Sequence, residues 1–312
     1  MPQNTKYYLS LLLIMVFWGL NVPLVKILVE NLSPVTMTAF RVMTAGLTVF
    51  IILMIFKLVR LPTKKEAKYI LLGAFLNVVC HHYFLSIGLK GTSGTNAGII
   101  LGAGPILTTL IATVLIKKKT NLQRWTGFLL GGAGVAVTIL VGSNGVSEIN
   151  IGDIYVFLSI LTQAFSFILI SKLAKTLDPR LLTGYMLVIG ASALMIIGLI
   201  TEPGAVNEFA TISWQVWLAF FTSAIIATAL GHMSYNFIIG KIGPAEASIF
   251  LNFTPFFALI GSVIMLGEKV TPFHLIGLLL IVAGVLLGSG ALERGERLGG
   301  ESSVTPLRGM EK

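Results

Sequence analysis

The chain has 312 residues, 55% of them hydrophobic and 11% charged, with a formal net charge of +9. Soluble domains carry about 25% charged residues, so an ordinary globular enzyme is excluded, and the positive balance reads as basic cytoplasmic loops of a membrane protein rather than a nucleic-acid surface. One cysteine, Cys80, leaves neither an intrachain disulfide nor a cysteine metal cluster.

Apolar runs predict ten spans, over residues 7–26, 34–56, 67–88, 95–116, 123–141, 153–173, 180–200, 214–238, 244–266 and 272–290. The first follows Lys6 and is closed by Pro23 and Lys26 with no small-residue cleavage site, as in a retained span. Pro34, Pro179, Pro244 and Pro272 sit near span starts, where a missing N–H costs nothing. Connections are short except 142–152 and 201–213. After the last span come Glu293, Arg294, Glu296 and Arg297, then a polar stretch that reads as disorder.

The last five runs repeat the first five. Residues 94–138 align with 244–288 at an offset of 150 without a gap, with 11 of 45 positions identical. Pro105 falls on Pro255, Gly127 on Gly277 and Ala133-Gly134-Val135 on Ala283-Gly284-Val285. An odd number of spans per unit turns the second copy upside down, a plan that recurs in secondary transporters with the site between the halves. The expected fold is therefore all-α and membrane-embedded: ten transmembrane helices as two inverted five-helix repeats around a central cavity. The first repeat would cover 1–145, the second 146–290, and a polar cytoplasmic tail 291–312. With the amino terminus in the cytoplasm, 18 of the 22 Lys and Arg fall on inside loops and span ends and 3 outside, with Arg41 within a span. That split supports ten spans with both termini cytoplasmic.

These marks together resemble the drug/metabolite transporter superfamily, in its ten-helix EamA-type branch. The supporting residues are Phe17-Trp18-Gly19, Arg41 after Ser33-Pro34, Asn96 and Pro105, Asn252 and Pro255, Gly267-Glu268-Lys269, Gly277 and the Ala283-Gly284-Val285 run. The resemblance covers residues 5–290. It implies a basket of helices moving small organic solutes by alternating access, with the fourth and ninth helices facing the cavity and the fifth and tenth behind. The family often carries an acid after the fourth helix, as Glu268 stands after the ninth. Here that place holds Lys117-Lys118, which puts a symmetric role for the acid in doubt.

Polar side chains within spans are costly, so they face a cavity or a partner helix. Trp18 and Asn21 share a face of the first span ahead of Pro23, offering a stacking surface and a hydrogen-bond group. The third span carries Asn77, His81, His82 and Tyr83, and the eighth His232, Tyr235 and Asn236. His82 and His232 are 150 apart and occupy matching places. Each histidine could bind solute, relay protons or satisfy a neighbouring helix, and adjacent positions diverge by about 100°, so His81 and His82 should not both face the cavity. Gln163 and Asn252 complete the set. The substrate-binding candidates are Trp18, Asn21, His82, Tyr83, Gln163, His232, Asn236 and Asn252, and the hinge candidates Pro23, Pro105 and Pro255. Arg41 has three readings: a snorkelling side chain, a fork for a solute carboxylate, or a donor to backbone carbonyls.

No Asp or Glu lies in mid-span, which argues against carboxylate-relayed proton antiport. No metal site, cofactor or nucleotide motif is expected. Gly94, Gly98 and Gly102, with Gly127 and Gly131 and with Gly284 and Gly288, are read as internal packing, a homodimer being the alternative. The expected function is a permease moving amino acids or related metabolites; the resemblance implies export as its direction and, with the short loops, the cell (cytoplasmic or inner) membrane as its place. The alternatives are a multidrug or cation efflux carrier and, from another class, a membrane scaffold or lipid-modifying enzyme. The expected partners are a small-molecule solute and the lipid bilayer, with no nucleic acid.

Overall fold

The computed structural model describes residues 3–116, 122–141, 150–173, 176–242, 247 and 250–288. Among the described residues there are ten helices and no strand. They are α1 (Gln3–Asn31), α2 (Pro34–Ile55), α3 (Lys64–Gly91), α4 in two pieces (Gly94–Leu101 and Gly104–Ile116), α5 (Leu122–Val141), α6 (Ile151–Leu173), α7 (Pro179–Thr201), α8 (Trp214–Ile242), α9 (Phe250–Leu266) and α10 (Pro272–Gly288). Seven of them, α1 to α4 and α6 to α8, are long and apolar enough to cross a membrane, and α5, α9 and α10 are shorter apolar helices. The chain is an all-α, multi-pass membrane protein.

Element ends differ from the hydropathy reading for local reasons. Helix α1 runs through Pro23 to Asn31, beyond the expected end at 26. A mid-helix proline removes one backbone bond, and Pro23 is held in place by α9, where Gly261 leaves room for its ring. Helix α3 starts at Lys64 because Thr63 and Glu66 form a reciprocal capping box. Pro244 and Glu246, the Lys117-Lys118 pair and the polar tail with Glu293, Arg294, Glu296 and Arg297 lie outside the described residues.

Loop-to-loop bonds show that successive helices alternate in direction. On the face opposite the amino terminus, the α1–α2 turn meets the α7–α8 loop through Ser33 and Glu208, and the α3–α4 turn meets both the α9–α10 turn and the start of α6. On the amino-terminal face, Arg60 of the α2–α3 loop bonds Thr176 of the α6–α7 loop. Helices α5 and α10 pack on each other, as do α2 and α7. Helix α1 lies on α9, and α6 lies on α3 and α4. The α2–α7 and α5–α10 pairs each join equivalent helices of the two halves.

Glycines set the closest crossings. A Cβ on Gly127 would come within 2.3 Å of the Gly288 nitrogen, and one on Gly284 within 2.5 Å of the Gly131 nitrogen, so α5 and α10 touch backbone to backbone. Gly94, Gly98 and Gly102 make room for the side chains of Ser262, Ala258 and Pro255 of α9. Gly19, next to Trp18, would place a Cβ 2.4 Å from Phe257 Cβ, which fixes α1 against α9 and sets the depth of Trp18.

Carboxylates hold helix starts at the opposite face. Helix α9 ends in a Schellman turn: Gly267 has φ 66°, its N–H reaches Val263, and the Glu268 N–H reaches Ser262. Only a residue free of a Cβ adopts that φ without strain. The turn aims Glu268 at the start of α4, where it accepts from Gly94 N (2.7 Å), Thr95 N (2.8 Å) and Thr95 Oγ (2.6 Å). Glu202 does the same for α2, accepting from Val35 and Thr36.

Candidate functional site

The middle of the bundle holds a cavity of about 80 Å³, lined by Trp18, Asn21, Val22 and Val25 of α1, His81, His82, Leu85 and Leu89 of α3, and Leu101 of α4. Ile160 and Gln163 of α6, Thr228 and His232 of α8, and Leu251 and Thr254 of α9 complete it.

Two π-helical stretches build the walls. In α3 the π segment is Ala74–Cys80 and in α8 it is Thr222–Gly231. They occupy equivalent places in the two halves, and a histidine follows each directly. A π turn widens the helix and leaves backbone carbonyls seeking donors. Trp18 supplies one: its indole Nε1 donates to Ala227 O at 2.9 Å. Thr228 supplies another, donating to Ser223 O at 2.8 Å. The Trp18 ring packs on His232 and Tyr235, each 4.9 Å away between centroids. His232 in turn lies 5.9 Å from His82.

The two neighbouring histidines of α3 both line the cavity, against the expectation that one must turn away. Their rings lean together, 4.8 Å apart at 59°, so the side-chain reach overcomes the divergence of the backbone positions. His81 is tied to α6: its Nδ1 lies 3.1 Å from Ser159 O and 2.8 Å from Ser159 Oγ, and its Nε2 3.1 Å from Gln163 Nε2.

The remaining sequence candidates are distributed unevenly. Asn236 is buried off the cavity and donates to Thr183 Oγ at 2.8 Å, tying α8 to α7. Tyr83 is half-buried against the large apolar core cluster and meets Phe84 edge-on. Asn252 ends the 3₁₀ turn Phe250–Asn252 that opens α9, between the lining residues Leu251 and Thr254. Pro105 and Pro255 each stand just inside a helix restart: α4 breaks at Gly102 and resumes at Gly104, and the α-helical part of α9 begins at Phe253. The two interruptions touch, since a Cβ on Gly102 would fall 2.4 Å from Pro255 Cγ.

Arg41 does not snorkel. It is 1% exposed and bonds Ser223, Thr228 and His82. Ser223 and Thr228 were not singled out from the sequence. Their spacing of five is the π-helical period, which only hindsight about the helix type makes meaningful. A second polar cluster closes the opposite face beyond the cavity. Buried Asp153 accepts from Thr92 and Asn96, and Asn96 Oδ1 meets His274 Nε2 at 2.9 Å.

A wider cleft of about 520 Å³ opens at the amino-terminal face, between Lys6, Tyr7 and Phe17 of α1, Arg180 of α7, and Gly231, Phe237 and Ile238 of α8. Phe17 and Gly231 of the cleft are the sequence neighbours of Trp18 and His232 of the cavity.

A family model described as the EamA-like transporter family matches residues 5–140 and again 150–290. The chain belongs to that family. The two matches are the two five-helix repeats, so the ten helices are a duplicated unit. An uncharacterized transporter of Bacillus subtilis, YyaM, is 29% identical over 295 residues, covering 93% of this chain and 95% of its own. A chloroplastic WAT1-related protein of Arabidopsis thaliana is 25% identical over 277 residues, covering 87% of this chain and 66% of its own. A solved crystal structure superposes with a TM-score of 0.68 at 16% identity, covering 94% of this chain and 99% of that one, which is a likeness of fold. This EamA-family chain is thus a membrane transporter.

Proposed function

We propose that the protein is a secondary carrier moving small organic metabolites, amino acids or related compounds, by alternating access. The observation that carries this reading is the midplane cavity between the two repeats, walled by aromatic, imidazole and amide groups at the two equivalent π segments. Trp18, Asn21, His82, Gln163 and His232 are the groups that would meet solute. Tyr83 and Asn236 would hold the helices that carry them.

In alternating access, α4 and α9 would part to load the cavity. The breaks ahead of Pro105 and Pro255 are the places where the two helices can bend without losing further backbone bonds, and Pro23 would play the same part in α1. In this reading the opposite face is shut by Glu268, Asp153 and His274. The amino-terminal cleft would be the route by which solute reaches the cavity. With basic residues concentrated at the amino-terminal face, that face would be cytoplasmic. Export from the cytoplasm is the direction that the family resemblance supports.

Solute counterflow in proteoliposomes tests the reading, because exchange requires no imposed ion gradient. The panel would hold amino acids, nucleosides, polyamines and aromatic amines. Saturable exchange in the wild type, reduced about ten-fold or more in Trp18→Ala and Gln163→Ala variants that remain folded, is expected. Exchange that is indifferent to both variants would move the site away from this cavity. No exchange across a widened panel would sink the carrier reading.

A further inference from the structure

Arg41 stands on α2, one layer behind the cavity wall. Among the described residues none of the ion pairs includes it, and its side chain is excluded from solvent. A guanidinium left without a carboxylate in a dry interior is expensive, so its surroundings show what charge they are built to receive.

The hydrogen bonds around it run in one direction. A guanidinium only donates. Its Nη1 donates to Thr228 Oγ at 2.7 Å and to Ser223 Oγ at 3.2 Å. Its Nη2 lies 3.3 Å from His82 Nδ1, so Nδ1 is the accepting nitrogen and the ring proton resides on Nε2. Ser223 passes the polarity on: it donates its own proton to Asn21 Oδ1 at 2.6 Å, which leaves Asn21 with its two Nδ2 protons. The Thr228 branch returns to the Ser223 carbonyl, whereas the Ser223 and His82 branches end in N–H groups whose residues line the cavity. Nε2 of His82 is buried and has no partner among the described residues. Such chains polarise one another in the same sense, so the wall in front of Arg41 is a donor surface backed by a full positive charge.

The rest of the lining agrees. It contains no Asp or Glu, and Val22, Val25, Leu85 and Leu101 provide apolar surface beside the donors. The bond from His81 Nδ1 to the Ser159 carbonyl makes Nε2 an acceptor, so Gln163 donates to it with Nε2 and keeps Oε1 as an amide acceptor at the wall.

We propose that the cavity selects solutes by a carboxylate, which is held by His82 Nε2–H and Asn21 Nδ2–H with Arg41 as the positioning residue that fixes their polarity and supplies the compensating charge. The proposal rests on the carrier reading above and narrows it to anionic or zwitterionic compounds with a small apolar body. Arg41 does not touch the solute. It acts through the tautomer of His82 and through Ser223.

The test uses four probes on one hydrocarbon frame: L-leucine, 4-methylpentanoate, L-leucinamide and isoamylamine. Thermal unfolding of the detergent-solubilised full chain is followed against the concentration of each. The two carboxylates are expected to raise the midpoint, and the amide and the amine are not. In Arg41→Gln the preference for leucine over leucinamide should fall about ten-fold or more, the scale of losing a charge-assisted bond. Asn21→Leu, which leaves the buried guanidinium in place, should weaken both carboxylates in a protein that folds even if the Arg41 variant does not. The readout is the carboxylate-to-amide ratio, which a purely structural role would leave unchanged. A wild type that responds to the amine and amide instead, or to none of the four, overturns the proposal. The carrier reading is judged separately by counterflow with the wider panel, which includes solutes without a carboxylate.

Discussion

The two faces of the bundle are held by different chemistry. At the opposite face, carboxylates reach across the molecule to helix starts distant in sequence: Glu268 to α4, Glu202 to α2, and Glu208 to Ser33 N (2.6 Å) and Oγ (2.7 Å). At the amino-terminal face the ion pairs are short in sequence. Arg60 pairs with Glu66 and Arg180 with Asp178, each at 2.8 Å, and three of these four side chains are about a third or more exposed. Long-range caps couple separate helices, so losing one loosens a whole face. Local pairs stabilise chiefly their own turn, although Arg60 also donates to Thr176 O of the α6–α7 loop. A carrier with one face locked and the other open to a cleft would be built this way.

The largest expected effect comes from Glu268→Ala. It strands two amides and a hydroxyl at the start of α4, at a cost of about 2–3 kcal/mol. Thermal unfolding should shift by several degrees, and hydrogen exchange should rise at Gly94 and Thr95. Unchanged exchange there would show that the cap is not what holds that face. Next comes Glu202→Ala, expected to cost about 1–2 kcal/mol because two backbone donors at α2 lose their acceptor. Its exchange signature should appear at Val35 and Thr36 and leave α4 untouched.

On the other face Glu66→Ala should cost about 1 kcal/mol, most of it through the capping box, since the Arg60 partner is half-exposed. If it destabilised more than Glu268→Ala, the contrast between the faces would be reversed. The smallest effect is Asp178→Asn, within about 0.5 kcal/mol. The bond from Arg180 holds the Asp178 carboxyl below its usual range. A depressed carboxyl contributes stability above its unfolded pKa and loses it as pH falls through the lower folded value. The difference between wild type and Asp178→Asn should therefore be present at pH 7 and disappear in acid.

Much of the fold was legible because a bilayer forces regularity. A backbone in hydrocarbon must satisfy itself by helix formation, so apolar runs predict helices, and an in-register repeat of Pro105 on Pro255 predicts the duplication. The positions of Trp18, Asn21, His82, Gln163 and His232 on the cavity wall were consistent with polar groups turning inward. Other features were hidden. Asn236 and Tyr83 carry the same chemistry but face neighbouring helices, because the side of a helix that meets the cavity depends on its rotation within the bundle. The π stretches change that rotation by inserting an extra residue per turn, and hydropathy is blind to them. Glu202 and Glu208 lie in a loop whose fold, a 3₁₀ turn over Ala205–Ala210, gives no apolar pattern to read.

By itself the sequence determined that the chain is membrane-embedded, all-α and duplicated, since these follow from transfer free energy and backbone satisfaction acting on each segment alone. Only the tertiary structure decided which polar groups share a cavity, which acids cap helix starts on the far face, and that Arg41 is a buried cation donating to Ser223, Thr228 and His82. Those properties depend on side chains from different helices meeting at distances of about 3 Å, and the order of residues along one helix holds no record of its rotation against the next.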